Sequence, residues 1–147
     1  MGNRAIITTQ NDFDNNGIGV YVHWNGGYDS VSAFLKYCEL RGFRPPEEDG
    51  YGWARLCQII GNFFGGDLSI GIDVLYKLPL HTCDNGVYII EKWKIVGRKY
   101  TYDKKEQMNH DLYDMVCDIN KAQPRNDRLD KQIIKQMLKG ENNNAEN

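Results

Sequence analysis

The stretch His23-Trp24-Asn25-Gly26-Gly27-Tyr28-Asp29-Ser30 constrains this chain more than any other, because the hydrophobic rhythm changes across it. Before it, Ile18, Val20, Val22 and Trp24 alternate with Gly19, Tyr21 and His23, the two-residue period of a half-buried strand. After it, Val31, Phe34, Leu35 and Cys38 recur at helical spacing. A strand therefore hands over to a helix here. A plain turn needs only two or three small residues, so a Trp, an Asn and a Tyr around a Gly-Gly pair call for a further role. The role that suits them is one wall of a binding recess.

The rest of the chain supplies the partners that such a unit requires. Ala5-Ile6-Ile7-Thr8-Thr9 reads as a strand joined to the Gly17–Trp24 strand through Asp14-Asn15-Asn16-Gly17, whose Asn-Gly is a hairpin signal. The first helix starts with Asp29 or Ser30 as N-cap and runs to Arg41, with Gly42 and then Pro45-Pro46 to stop it. Trp53, Leu56, Cys57, Ile60 and Phe64 give the second helix its stripe, and Gly65-Gly66 ends it. A second hairpin pairs Leu68, Ile70, Ile72 and Val74 with a long Val87–Val96 strand after Asp84-Asn85-Gly86.

Asp103-Lys104-Lys105-Glu106 has the form of a capping box for a third helix carrying Met108, Leu112, Met115, Val116 and Ile119. Pro124 through Asp127 opens a fourth, with Leu129, Ile133, Ile134, Met137 and Leu138, and Gly140 closes it. The expected fold is α+β: a small antiparallel sheet from two hairpins, two inserted helices and a C-terminal helical hairpin. Residues 1–140 make one domain, and the Asn-rich stretch 141–147 has nothing to bury and reads as a disordered polar tail. The apolar stripes of the last two helices either pack on the chain's own sheet or meet a second copy as a homodimer.

Composition narrows the partners. A formal net charge of −2 over 147 residues argues against duplex nucleic acid, whose capture rests on neutralising many phosphates. No apolar run approaches a membrane span or a signal peptide, so a soluble, cytosolic protein is expected. Cys38, Cys57, Cys83 and Cys117 are far apart and read as reduced core residues. His81-Thr82-Cys83-Asp84 lacks a second pair at ligand spacing, so neither a metal nor any other cofactor is expected.

Gly26 and Gly27 let a backbone approach a ligand, and the free N–H groups at the start of the following helix suit an anion. Trp24 or Tyr28 can stack on a purine, Asn25 can read its edge, and Asp29 can bond ribose hydroxyls. The plainer alternative is an ordinary strand-to-helix connection. Tyr51-Gly52-Trp53-Ala54-Arg55-Leu56 repeats the mixture of aromatic and polar groups. Arg55, two residues beyond Trp53, points away from the stripe, either into solvent or toward a phosphate. Arg41 and Arg44 face the same choice and read as surface residues. The basic run Lys92, Lys94, Arg98, Lys99, Lys104 and Lys105 reads as a solvated face. Arg125 and Arg128 reach an anion only if a partner subunit brings the last helix over the sheet.

Catalysis has weaker support. His23, Asp29 and Ser30 are too close in sequence to serve together as base, orienter and nucleophile, and no nucleophile elbow is present. Glu47, Glu48 and Asp49 form an acidic turn of the kind that solubilises.

His23-Trp24-Asn25-Gly26-Gly27 with Asp29-Ser30-Val31, and Tyr51-Gly52-Trp53-Ala54-Arg55-Leu56 continuing to Asn62-Phe63-Phe64-Gly65-Gly66, resemble a small-protein family of phages, prophages and integrative elements of Gram-positive bacteria. Met1-Gly2-Asn3-Arg4-Ala5-Ile6 and Asp84-Asn85-Gly86-Val87-Tyr88 extend the resemblance over about the first hundred residues. Within that group the chain is similar to the Thoeris anti-defence type one family, sponges that bind cyclic ADP-ribose signals without cleaving them. The resemblance implies a non-catalytic protein that sequesters a cyclic nucleotide as a homodimer or larger homo-oligomer. The ligand would lie among Trp24, Asn25, Gly26, Gly27, Tyr28, Asp29, Tyr51, Trp53 and Arg55, with Arg125 and Arg128 from the C-terminal part. A protein-binding inhibitor of the anti-CRISPR kind is the alternative, followed by a nucleotide-processing enzyme.

Overall fold

A computed structural model describes residues 2–14, 17–66, 69–101 and 110–145. In chain order the elements are β1 (Ala5–Thr9), α1 (Gln10–Asp14), β2 (Ile18–Val22), α2 (Tyr28–Leu40), α3 (Gly50–Phe64) and β3 (Ile70–Val74), then β4 (Val87–Glu91), β5 (Lys94–Lys99), α4 (Leu112–Ala122) and α5 (Lys131–Ala145). The class is α+β. The sheet has the order β3-β2-β1-β4-β5.

Alternation along the strands divides the molecule. Ala5, Ile7, Val20, Val22, Tyr88 and Ile90 face a core built with Val31, Phe34, Leu35 and Cys38 of α2, Trp53, Leu56, Ile59 and Ile60 of α3, and Val116 and Ile119 of α4. Ile6 and Val87 turn to the other face, where Leu75 and Cys83 of the β3–β4 connection form a smaller core. The long helices thus cover one face, while the β3–β4 connection and Phe13 of α1 pack on the other.

Strand pairing differs from the sequence expectation. β3 pairs antiparallel with β2, while β4 lies parallel to β1, with Ile6 opposite Val87 and Thr9 opposite Ile90. The expected Val87–Val96 strand is itself a hairpin: Lys92 and Trp93, at φ 51° and 63°, turn β4 into β5. Lys-Trp carries no local turn signal, so tertiary contacts set this bend. The Trp93 indole is buried and donates to the Phe43 carbonyl at 2.8 Å, and Glu47 Oε2 accepts from the Lys92 N–H at 2.7 Å.

Helix ends also shift. The N-cap of α2 is Gly27, with no side-chain cap, so Asp29 and Ser30 lie inside the helix rather than before it. α3 has the expected glycine end, with Gly65 at φ 65°, and Asp49 caps its start by accepting from Tyr51 N–H at 2.9 Å. The capping box at Asp103–Glu106, together with Met108, lies outside the described residues; α4 is capped by Asp111, which accepts from Asp114 N–H. The segment from Pro124 makes only a single 3-10 turn, Arg125–Asp127, and α5 begins after Asp130 accepts from Gln132 N–H at 2.7 Å. α5 runs past Gly140, a residue that weakens a helix without compelling its end. The expected domain boundary at residue 140 therefore falls within α5.

Two buried amides lock the helical layer. Asn120 accepts from Tyr37 O–H at 2.7 Å and from Leu129 N–H at 2.8 Å, and donates to the Leu129 carbonyl. Gln123 donates to the carbonyls of Ile59 and Ile119 and accepts from Asn62 at 2.8 Å. Both tie α4 to its neighbours through groups that water does not reach. Asn120→Ala is expected to cost about 2–4 kcal/mol, because it strands a buried hydroxyl and two backbone groups. Urea melts of the two proteins measure this; a loss below about 1 kcal/mol would show the network to be dispensable.

Candidate functional site

The Trp24–Ser30 turn is built mainly for packing. Gly26 N–H donates to the Asn3 carbonyl at 2.8 Å, and its own carbonyl accepts from Tyr88 O–H at 2.8 Å. A Cβ at this position would collide with the Asn3 carbonyl oxygen and crowd Ala5. The close backbone approach here is made by Asn3 and Arg4, which lead into β1. Gly27 accepts the first helical bond, from Val31 N–H. Asn25 adopts φ 57° and donates to Ser30 Oγ at 3.3 Å, closing the turn upon itself. Trp24 is 46% exposed, with its ring edge-on to His23 at 4.8 Å, so it is neither the end of a strand face nor part of the core.

Tyr28 and Asp29 are the members of this turn that reach a concavity. A groove of about 310 Å³ runs along α2 beside β5, lined by Tyr28, Ser32, Leu35, Lys36, Glu39, Trp93, Lys94, Ile95 and Leu112. An adjoining recess of about 230 Å³ is lined by Tyr28, Asp29, Ser32, His110 and Leu112. Tyr28 and Trp93 offer the groove aromatic surface. Lys36 is nearly buried and pairs with Glu39 at 2.8 Å, while Lys94 is exposed. In the recess the two Asp29 oxygens accept from Ser30 N–H at 2.7 Å and His110 N–H at 3.1 Å. Asp29 thereby fastens the lead into α4 to the first turn of α2. A third hollow, about 380 Å³, borders Tyr21, His23 and Ile70 at the β3 edge.

The second motif lies elsewhere. Trp53 is 5% exposed and packs within the main core. Tyr51 is exposed, with the guanidinium groups of Arg44 and Arg55 over its ring at 4.7 and 4.6 Å. Arg55 also sits 5.0 Å from the Phe43 ring centre and donates to Gln58. Phe43 follows the C-terminal end of α2 and Tyr28 opens its N-terminal end, about 18 Å away along the axis. The two motifs therefore do not form the walls of one recess. Arg125 is exposed, and Arg128 donates to the Gln123 carbonyl at 2.9 Å, capping the end of α4. Neither approaches the groove within this chain.

Titration offers no activated nucleophile among the described cysteines with shifted thiols. Burial pushes Cys38, Cys57 and Cys83 upward and keeps them protonated. Burial also raises the Tyr37 phenol, against the opposing pull of Arg41, and so preserves its donation to Asn120. Among the described residues no group of three His, Cys, Asp or Glu side chains is placed to hold a metal ion.

Ser32, Lys36, Trp93, Lys94 and His110 were absent from the sequence-based site. Tyr28, Ser32, Lys36 and Glu39 do recur at helical spacing, a signal obscured by the stronger apolar stripe beside it. Trp93 and Lys94 arrive through a turn that only tertiary contacts reveal. Compared with protein-family models, curated proteins and solved structures, the chain matches none. Among the described residues, no helix is long and apolar enough to cross a membrane.

The two tryptophans give opposite expectations. Trp53→Ala should cost about 3–5 kcal/mol, as truncating a buried aromatic does, whereas Trp24→Ala should cost less than about 1 kcal/mol. Thermal or urea melts of both variants test this, and equal losses would contradict the placement of the two rings.

Proposed function

We propose that the chain is a non-catalytic anti-defence protein that binds and sequesters a cyclic nucleotide signal of the cyclic ADP-ribose type in the bacterial cytosol. The observation that carries this reading is the groove along α2. Tyr28, the small accessible edge of the buried Trp93 and the exposed Lys94 line it, beside the Lys36–Glu39 pair, in a volume of about 310 Å³. That size and mixture suit a small aromatic anion, since small-molecule sites are concave, largely apolar and fixed by a few polar groups. A base would stack on Tyr28 while Lys94 meets a phosphate. The resemblance of the two motifs to the sponge family supports the choice of ligand class.

The adjoining recess favours a second reading to be tested beside it, because Asp29, Ser32 and His110 line it together. A hydrolytic site would use the carboxylate to orient the imidazole. Here both carboxylate oxygens accept backbone N–H groups, which suits a structural clasp better.

A homo-oligomer belongs to the same proposal. Ile133 and Met137 lie one helical turn apart on α5 and remain 46% and 44% exposed, an apolar pair that a second copy would cover.

Protein incubated with cyclic ADP-ribose isomers and then denatured by heat should release the ligand intact into the supernatant. A converted product, or no retained ligand, would contradict a sponge. Tyr28→Ala and Lys94→Glu should each weaken binding about tenfold by calorimetry, a difference of about 1.4 kcal/mol. Sedimentation equilibrium should show a monomer for the Ile133→Glu, Met137→Glu double variant and a dimer or larger species for the parent. Equal masses would remove the oligomer from the proposal.

A further inference from the structure

The C-terminal end of α2 meets the start of α3 at a corner where arginines and aromatic rings interleave. Arg41 lies 5.1 Å from the centre of Phe43, and Arg55 lies 5.0 Å from the same ring. Arg55 also covers Tyr51 at 4.6 Å, and Arg41 lies 5.9 Å from Tyr37. Both guanidinium groups are half-buried. Sharing one ring keeps them no more than about 10 Å apart, close to the roughly 8 Å over which physiological salt screens charges.

Asp49 pairs with Arg44 at 3.0 Å and caps α3. Glu47 Oε2 accepts from the Lys92 N–H, and its Oε1 is buried without a hydrogen-bond partner. Among the described residues neither Arg41 nor Arg55 meets a carboxylate at ion-pair distance. Arg41 donates to Tyr37 O–H at 3.4 Å, Arg55 donates to Gln58 Oε1 at 2.8 Å, and Arg55 Nε is buried with no acceptor. These ring contacts use none of the remaining N–H donors, and it is through paired N–H donors that arginine takes a planar or tetrahedral oxyanion.

We propose that Arg41 and Arg55, stacked on Phe43, form a phosphate-binding site at this corner, separate from the groove, for a small molecule carrying a phosphate or diphosphate group. Two cations beside one ring without a carboxylate partner attract an anion, and the aromatic rings hold both guanidinium groups in place before it arrives.

The arginine Nε–Hε resonances report on the site directly. At low ionic strength, inorganic pyrophosphate should shift those of Arg41 and Arg55 saturably, and adenosine should leave them unmoved. ADP-ribose binding more tightly than pyrophosphate would assign a nucleotide-borne diphosphate, and equal affinity would assign the free anion; either supports phosphate recognition. Arg55→Lys and Arg41→Lys keep the charge and lose the fork, so each should weaken pyrophosphate binding at least tenfold while melting like the parent. Tyr28→Ala should leave it unchanged, which separates failure of the groove from failure of the corner. Absence of any saturable shift, or undiminished binding by both lysine variants, would overturn the proposal.

Discussion

Gly26 occupies the place where β1, β4 and the start of α2 come closest, and the setting of the helical layer depends on that contact. Its N–H reaches the Asn3 carbonyl, its carbonyl receives the Tyr88 hydroxyl, and no side-chain atom fits between them. The first turn of α2 is thereby held against the two central strands. From that point Val31, Phe34, Leu35 and Cys38 are carried over the sheet into the main core.

The remaining helices follow from α2. Tyr37 reaches Asn120 on α4, and Gln123 connects α4 back to α3, so buried hydrogen bonds join elements that apolar contact alone would leave free to slide. On its other side α2 runs beside β5, and the groove opens between them. Trp93 supports one end because the β4–β5 turn is held by Phe43 and Glu47. The same loop that fixes this turn also supplies Phe43 to the arginine corner. One short connection thus shapes both concave and cationic surfaces, from opposite ends of its own hydrogen bonds.

Periodicity made the α+β class legible, since the inner face of β2 and the stripes of α2 and α3 follow directly from apolar spacing. Pairing was not legible in the same way. Nothing local distinguishes β4 lying parallel to β1 from β4 pairing with β3, because that choice is made by contacts between residues distant in sequence. The Lys92-Trp93 turn escaped for a related reason: its positive φ values are maintained by Phe43 and Glu47, not by glycine or asparagine. At the site, the sequence located a dense turn but could not tell packing from recognition. Gly26 and Trp53 carry the same residue types in a pocket as in a core, and only burial separates the two roles. Arg55 was singled out by sequence, yet its neighbours Arg41 and Phe43 become visible as a cluster only when α2 and α3 meet.

The proposed function requires ligand binding in the groove between α2 and β5. Intermolecular nuclear Overhauser effects between cyclic ADP-ribose and the protein test that placement most directly. Contacts from the base protons to the ring protons of Tyr28 and to the accessible edge of Trp93 are predicted. Contacts confined to Trp24 or Tyr51, with the groove rings silent, would contradict it.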